Sequence, residues 1–333
     1  MTASRILVTG AGGFIGHHLV KRLKAEGHWV RGADIKLPEY ELSAADEFEL
    51  LDLREFQNCL LATRGGVDQV YNLAADMGGI GYITAYLADI SRNNILINAH
   101  MLEASRKNSV KRFLFSSSAC VYAHSKQISP DVKPLTEEDA YPAEPEPGYG
   151  WEKLFAEELC KYYLHDYGMH TFSVRFHNVY GPLGTYEGGK EKAPAAISRK
   201  VALANDGGEI EIWGDGEQTR SFMYIDDCVE GLLRLMASGY HEPLNLGTSE
   251  LVTINELVDL VCRVADKKLV KRHDLTKPQG VRGRNSDNTR LHKVLGWEPT
   301  ISLEAGLKVS YKWIESELKQ AGRVPTQSHT ARA

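Results

Sequence analysis

The chain has 333 residues, 43% hydrophobic and 25% charged, with a formal net charge of −5. That length suffices for one large core or two unequal domains. The acidic balance gives no electrostatic reason to bind nucleic acid or an anionic membrane, so any phosphate binding must be local. Five cysteines, an odd number and none spaced as CxxC, argue against a disulfide framework or a zinc site and for a reducing compartment. The N-terminus enters an apolar strand almost at once, and no apolar run nears the roughly 18 residues that span a bilayer. The expectation is a cytoplasmic, soluble protein with no metal.

In chain order, apolar runs and amphipathic segments predict a strand over Arg5–Thr9, a helix over Phe14–Glu26 and strands over Trp29–Asp34, Glu49–Asp52 and Val70–Ala74. A helix over Asn93–Lys107, a strand over Phe113–Ser117, a helix over Tyr149–Tyr167 and a strand over Thr171–Phe176 follow. Strand–helix alternation with nearly all-apolar strands implies an α/β fold, a Rossmann-type doubly wound parallel sheet. Beyond residue 177 the segments shorten. Gly- and Pro-containing loops stand at Gly181–Gly189 and Trp213–Thr219, and helices are predicted over Ala193–Ala204, Asp226–Ala237, Ile254–Val264 and Leu303–Leu318. The expected organisation is a dinucleotide domain over 1–177, a smaller C-terminal α/β substrate domain over 178–320 whose core continues from the sheet, and a flexible polar tail over 321–333.

Gly10, Gly13 and Gly16 sit between the first strand and the first helix. Glycines there permit a tight turn and let backbone amides approach a pyrophosphate at the helix N-terminus. The spacing GxxGxxG differs from the commoner GxGxxG, and its weight comes from its place between strand and helix. Asp34, ending the second strand, can accept hydrogen bonds from an adenosine ribose and repels a 2′-phosphate, which favours NAD over NADP. Asp52 reads either as a partner of the adenine amine or as a helix cap before Arg54.

Tyr149 and Lys153 are four residues apart and so share a helix face. A phenol there can exchange a proton while the ammonium lowers its pKa, and Ser118, at an upstream strand end, can bond the reacting hydroxyl. This is apparatus for oxidising an alcohol with a nicotinamide. Cys120 is not needed for that step. It reads equally as a small buried hydrophobe and as a second proton-transfer group at the C-terminal end of a parallel strand. Glu191 and Lys192 are candidates for its partner, and the plain alternative is a solvated charge run at a helix start. Two such groups facing opposite faces of a 4-keto sugar would invert its stereocentres at C3 and C5. Arg220 and Arg284 offer forks suited to a diphosphate, Lys200 can add to them, and Asn178 can bond sugar or phosphate.

The runs Asn72–Gly79, Ser117–Tyr122, Tyr149–Lys153 and Arg175–Pro182 resemble the extended short-chain dehydrogenase/reductase family that acts on nucleotide sugars. The Ser-Ser-Ala-Cys run at 117–120, the Lys-Glu-Lys-Ala-Pro-Ala-Ala run at 190–196, and the segments 213–220 and 281–287 narrow the likeness to the branch that epimerises GDP-mannose at C3 and C5. The resemblance covers roughly residues 4–318. It implies bound NAD, transient oxidation of GDP-α-D-mannose at C4 with Tyr149 accepting the hydroxyl proton, and inversion by Cys120 and Lys192. GDP-L-galactose is the implied product, with GDP-L-gulose if only C5 inverts. It also implies cofactor contacts at Phe14, Ile15, Leu73, Ala74 and Ala75, and substrate contacts at Gly78, Gly79, Ser117, Ser118, Asn178, Glu191, Lys200, Gln218, Arg220 and Arg284. Subunits of this family pair through a helix bundle, which implies a homodimer. Within the fold, a 4-epimerase would not need Cys120 or Lys192, and a 4,6-dehydratase needs carboxylates beside the serine that Ala119-Cys120 does not supply. A non-catalytic NAD sensor need not keep Ser118, Tyr149 and Lys153 together.

Overall fold

The computed structural model describes residues 3–277 and 279–324, so the expected tail lies, from residue 325 on, outside the described residues. In the first half, strands β1 (Arg5–Thr9), β2 (Trp29–Asp34), β3 (Glu47–Leu50), β4 (Gln69–Asn72), β5 (Arg112–Ser118) and β6 (His170–Phe176) alternate with helices. Those helices are α1 (Phe14–Ala25), α2 (Phe56–Ala62), α3 (Ile80–Ala85), α4 (Leu87–Lys107) and α5 (Tyr149–Tyr167). The second half runs β7 (Asn178–Tyr180), α6 (Ala193–Leu203), β8 (Glu209–Trp213), β9 (Thr219–Tyr224), α7 (Ile225–Ala237) and β10 (Leu244–Leu246). It ends with β11 (Leu251–Thr253), α8 (Ile254–Val264), β12 (Val270–Asp274), β13 (Gly283–Arg284), α9 (Thr289–Leu295) and α10 (Leu303–Gln320).

Among the described residues, seven strands form a parallel sheet in the order β10-β6-β5-β4-β1-β2-β3. Strand order reverses between β1 and β4, and the crevice beyond their C-terminal ends is where such sheets bind ligands. The pleat sends alternate residues to opposite layers. Ile6 and Val8 join the core packed by α1 and α7, whereas Leu7 joins the core under α2, α4 and α5. The first of these cores runs on without a break into α6, α8 and α10 through Val201, Leu257, Val261 and Leu307. The second half adds small sheets, β9 with β7, β11 and β13, and the parallel pair β8–β12.

Most expected elements stand within two residues of their predicted ends. The third strand ends at Leu50, which leaves Asp52 beyond it in the turn leading to α2, and α4 begins six residues earlier than expected, at Leu87. The strands β7 to β13 fill stretches to which the sequence assigns no element. No helix among the described residues is long and apolar enough to cross a membrane.

Candidate active site

The glycine turn closes tightly on the switch point. Gly10 holds a left-handed φ of 68°, and a Cβ there would stand 2.8 Å from the Leu73 backbone. A Cβ on Gly16 would stand 2.2 Å from the Gly10 carbonyl oxygen. Gly13 caps α1 without any side-chain bond, which leaves the first-turn amides of Phe14, Ile15 and Gly16 open to an anion. Leu73 and Ala74, just past β4, give their amides to Thr9 Oγ1 at 3.1 Å each and form the opposite wall, with Ala75 next along the chain. Asp34 ends β2. Its Oδ2 accepts from Gly12 N at 2.9 Å and its Oδ1 from Ile35 N at 2.7 Å, and burial raises its pKa against those amides. The cradle, the uncapped helix and the carboxylate fit a dinucleotide. Asp52 is tied to Arg54, accepting its backbone amide at 3.0 Å and its guanidinium at 2.6 Å.

Beside the crevice lies a cavity of ≈ 430 Å³ lined from both halves. From the first come Gly78, Gly79, Ser118, Cys120 and Tyr149; from the second come Asn178, Glu191, Lys192, Lys200, Gln218, Arg220 and Arg284. The structure thus gathers all but one of the expected substrate residues. The exception is Ser117. Neighbours on a strand point to opposite faces, and Ser117 Oγ turns away from the cavity to donate to Glu157 Oε1 at 2.5 Å. It serves the buried ion pair in which Glu157 accepts both Arg175 Nε at 2.9 Å and Arg175 Nη2 at 2.7 Å. Ser117 Oγ is therefore committed to Glu157 and lies outside the cavity lining.

Tyr149 is buried at the cavity floor and hydrogen-bonded to Ser118. Burial, then the charge of Glu152, pushes its phenol well above the ordinary value. The lowering expected from Lys153 does not outweigh these. That ammonium stands 5.3 Å from the Tyr149 ring centroid and 3.6 Å from Glu152 Oε1, which takes up its charge. Burial, then Glu146, raises the Cys120 thiol to about 11, although Arg284 Nη1 stands 3.8 Å from the sulfur. Burial lowers Lys192. Desolvation thus disfavours the charged form of both groups, the thiolate of Cys120 and the ammonium of Lys192.

Several neighbours of this site were not legible as such. Arg284 is fixed by Gln127 Oε1 at 2.6 Å and Glu146 Oε1 at 2.5 Å. Glu146 comes from the loop before α5, between Pro145 and Pro147. Gln218 gives its amide to the Trp213 carbonyl at 3.1 Å and keeps an unpartnered buried Oε1. Arg220 is anchored on the Val281 carbonyl at 2.6 Å, and Lys200 on the Glu211 carbonyl at 2.9 Å. His177 lines the same cavity, and burial pushes its ring down to about 3, so it is neutral. The five cysteines are free.

The model of the NAD dependent epimerase/dehydratase family matches residues 6–247. The chain belongs to that family. Membership makes NAD the dinucleotide of the glycine crevice. Within the NAD dependent epimerase/dehydratases, GDP-mannose 3,5-epimerase 1 of Oryza sativa subsp. japonica is 51% identical over 318 residues, 95% of this chain and 83% of that protein. GDP-mannose 3,5-epimerase of Arabidopsis thaliana is 50% identical with the same shares covered. Among solved structures, UDP-glucose 4-epimerase of Thermotoga maritima with UDP-glucose has a TM-score of 0.84 at 30% identity, over 94% of this chain and 99% of that one.

Proposed function

We propose that this protein is a GDP-mannose 3,5-epimerase. The observation that carries the reading is that Cys120 and Lys192, from opposite halves of the chain, line the same cavity as Ser118 and Tyr149. Half identity to the rice and Arabidopsis enzymes over nearly the whole chain supports the sugar and the nucleotide.

NAD, when bound, supplies a reversible two-electron oxidation at C4 of the mannosyl ring. Tyr149 takes the C4 hydroxyl proton while Ser118 orients that oxygen. The resulting ketone acidifies the C–H bonds at C3 and C5. At each centre one member of the Cys120/Lys192 pair takes the proton from one face and the other delivers a proton to the opposite face. Burial disfavours the charged form of each, which suits an exchange in which a neutral Lys192 takes a proton and a neutral Cys120 gives one. Tyr149 then returns its proton to O4. Inversion at both centres gives GDP-L-galactose, and inversion at C5 alone gives GDP-L-gulose, with no net redox. Arg220, Arg284 and Lys200 carry the positive charge for the diphosphate, while Gln218, Asn178, Glu191, Gly78 and Gly79 shape its surroundings. Glu146 stands beside Cys120, but its commitment to Arg284 at 2.5 Å disfavours it as the acid of a 4,6-dehydratase.

We read residues 1–177 as the NAD half, with Asp34 on the ribose and Asp52 toward the adenine, and 178–320 as the sugar-nucleotide half. We also read the protein as a cytoplasmic homodimer. Free thiols support the compartment. The pairing is supported by α4 and α5, which pack together and leave Ile95, Trp151, Phe155 and Tyr162 exposed. Sedimentation equilibrium of Trp151→Glu against the unaltered protein tests it, with a monomer expected for the variant.

The deciding experiment is NMR of GDP-D-mannose with the purified protein in deuterated water, without added cofactor. Deuterium at C5 and C3, with L-galactose and L-gulose signals, is expected. No exchange even with NAD⁺ supplied would overturn the reading.

A further inference from the structure

The catalytic helix buries a charge that this cycle does not use. Glu152 lies three residues after Tyr149 and directly before Lys153, and the side chains of Glu152 and Lys153 are 0% and 1% exposed. Glu152 Oε1 accepts from Asn94 Nδ2 at 2.9 Å, and Oε2 accepts from Asn98 Nδ2 at 3.2 Å. These asparagines are one turn apart on α4, and the Lys153 ammonium stands beside them as an ion pair, 3.6 Å from Oε1. Burial raises the Glu152 pKa, and the nearby ammonium and the two amide donors oppose that rise and favour the ionised carboxylate.

Both asparagines are tied outward as well. Asn98 Oδ1 accepts from Asn72 at 3.0 Å, and Asn72 Oδ1 accepts from Thr9 at 2.9 Å, the same hydroxyl that holds the amides of Leu73 and Ala74. Asn94 clasps the backbone of Asp76, accepting its amide at 2.6 Å and donating to its carbonyl at 3.1 Å, at the start of the loop that carries Gly78 and Gly79 into the cavity. Glu152 therefore stands where the dinucleotide crevice, the cavity loop and the catalytic helix meet.

We propose that Glu152 is a positioning residue that, by taking up the charge of Lys153, sets how tightly Tyr149 holds its proton. An uncompensated ammonium beside a buried phenol stabilises the phenolate, and a carboxylate held against that ammonium cancels much of the effect. The other groups facing Tyr149 are Ser118 and Cys120 from the end of β5, and Glu146 from the loop before α5, its carboxylate bonded to Arg284. Met77, Tyr82, Ile83 and Ile90 close the remaining side. Of these only Tyr82 titrates, and its hydroxyl is given to Asp76 at 2.8 Å. Glu152 is thus the member of the set ion-paired with the expected activator. Once ionised, a phenolate with a raised pKa is the stronger base toward the O4 proton, and it returns that proton after inversion. That last point rests on the epimerase reading; the effect on Tyr149 does not.

The test is an ultraviolet titration of tyrosinate in the unaltered protein, Glu152→Gln and Glu152→Asp. Each is measured against its own Tyr149→Phe partner, to isolate one phenol among the 15 tyrosines. In Glu152→Gln, Tyr149 is expected to ionise at least about one pH unit lower, while Glu152→Asp, which keeps the charge, stays near the unaltered protein. A Tyr149 titration that does not move in Glu152→Gln, or that moves equally in both variants, overturns the proposal. Should Glu152→Gln not fold, Glu152→Ala also removes the charge and must move Tyr149 the same way. An unmoved titration there also overturns it. No substrate enters the titration, so its outcome is independent of whether GDP-mannose is turned over.

Discussion

The dinucleotide crevice and the sugar cavity adjoin, yet they are made of different material. The crevice is backbone: a left-handed Gly10, an uncapped helix start at Gly13 and the chain at Leu73, with Asp34 the main side chain at its rim. The cavity is side chains, with Cys120, Tyr149, Lys192 and Arg284 drawn from four separate elements across both halves. A backbone site fails when a Cβ is added, and its failure shows in binding and folding. A side-chain site fails when one reacting atom is removed, and its failure shows in chemistry with the fold intact.

Cys120→Ala sharpens that contrast most. Inversion and solvent exchange at C3 and C5 should fall by about 10²–10⁴-fold, the usual weight of a general acid or base, while NAD released on denaturation stays stoichiometric. Full activity would remove the thiol from the chemistry. Lys192→Arg comes next. Burial lowers Lys192, so the unaltered enzyme should lose activity as the pH falls below that lowered value and the amine takes up a proton. It should hold its activity upward until Cys120 begins to lose its proton near 11. A guanidinium keeps its proton throughout, so the variant should be inactive across that window despite its retained charge, read as deuterium entry against pH. Gly10→Ala attacks the other region. The added Cβ meets the Leu73 backbone at 2.8 Å and is strained at positive φ. NAD should be lost and stability reduced by about 1–3 kcal/mol, seen in denaturant melts. Ser117→Ala, which touches neither site, should cost about 1.5 kcal/mol for one bond to a charged group and leave KM unchanged. A raised KM would return Ser117 to the cavity.

The same difference governs what could be read from the chain. The glycine turn, Asp34, and the Tyr149/Lys153 pair are local patterns, each legible within a few residues. Ser118 and Ser117 are equally legible as serines, and only the pleat decides which one faces the sugar. Glu152 sits inside the Tyr-Gly-Trp-Glu-Lys run, but its meaning depends on Asn94 and Asn98, more than fifty residues upstream. Glu146 and Gln127 acquire theirs only when Arg284 arrives from the far end of the chain. Three strands of the second half, β7, β10 and β11, have only three residues, too brief for a two-residue period to declare itself, whereas β8, Glu-Ile-Glu-Ile-Trp, does alternate.

β10 leaves the second half to pair with β6, and α7 lies against α1. Cutting the chain after residue 177 would bare the edge of β6 and uncover the sheet face around Ile6 and Val8, so neither piece should be expressible alone. The two halves should melt together in one cooperative transition, and the enzyme should admit and release its sugar nucleotide by small movements of the loops around Gly78 and Gly189 rather than by hinging apart.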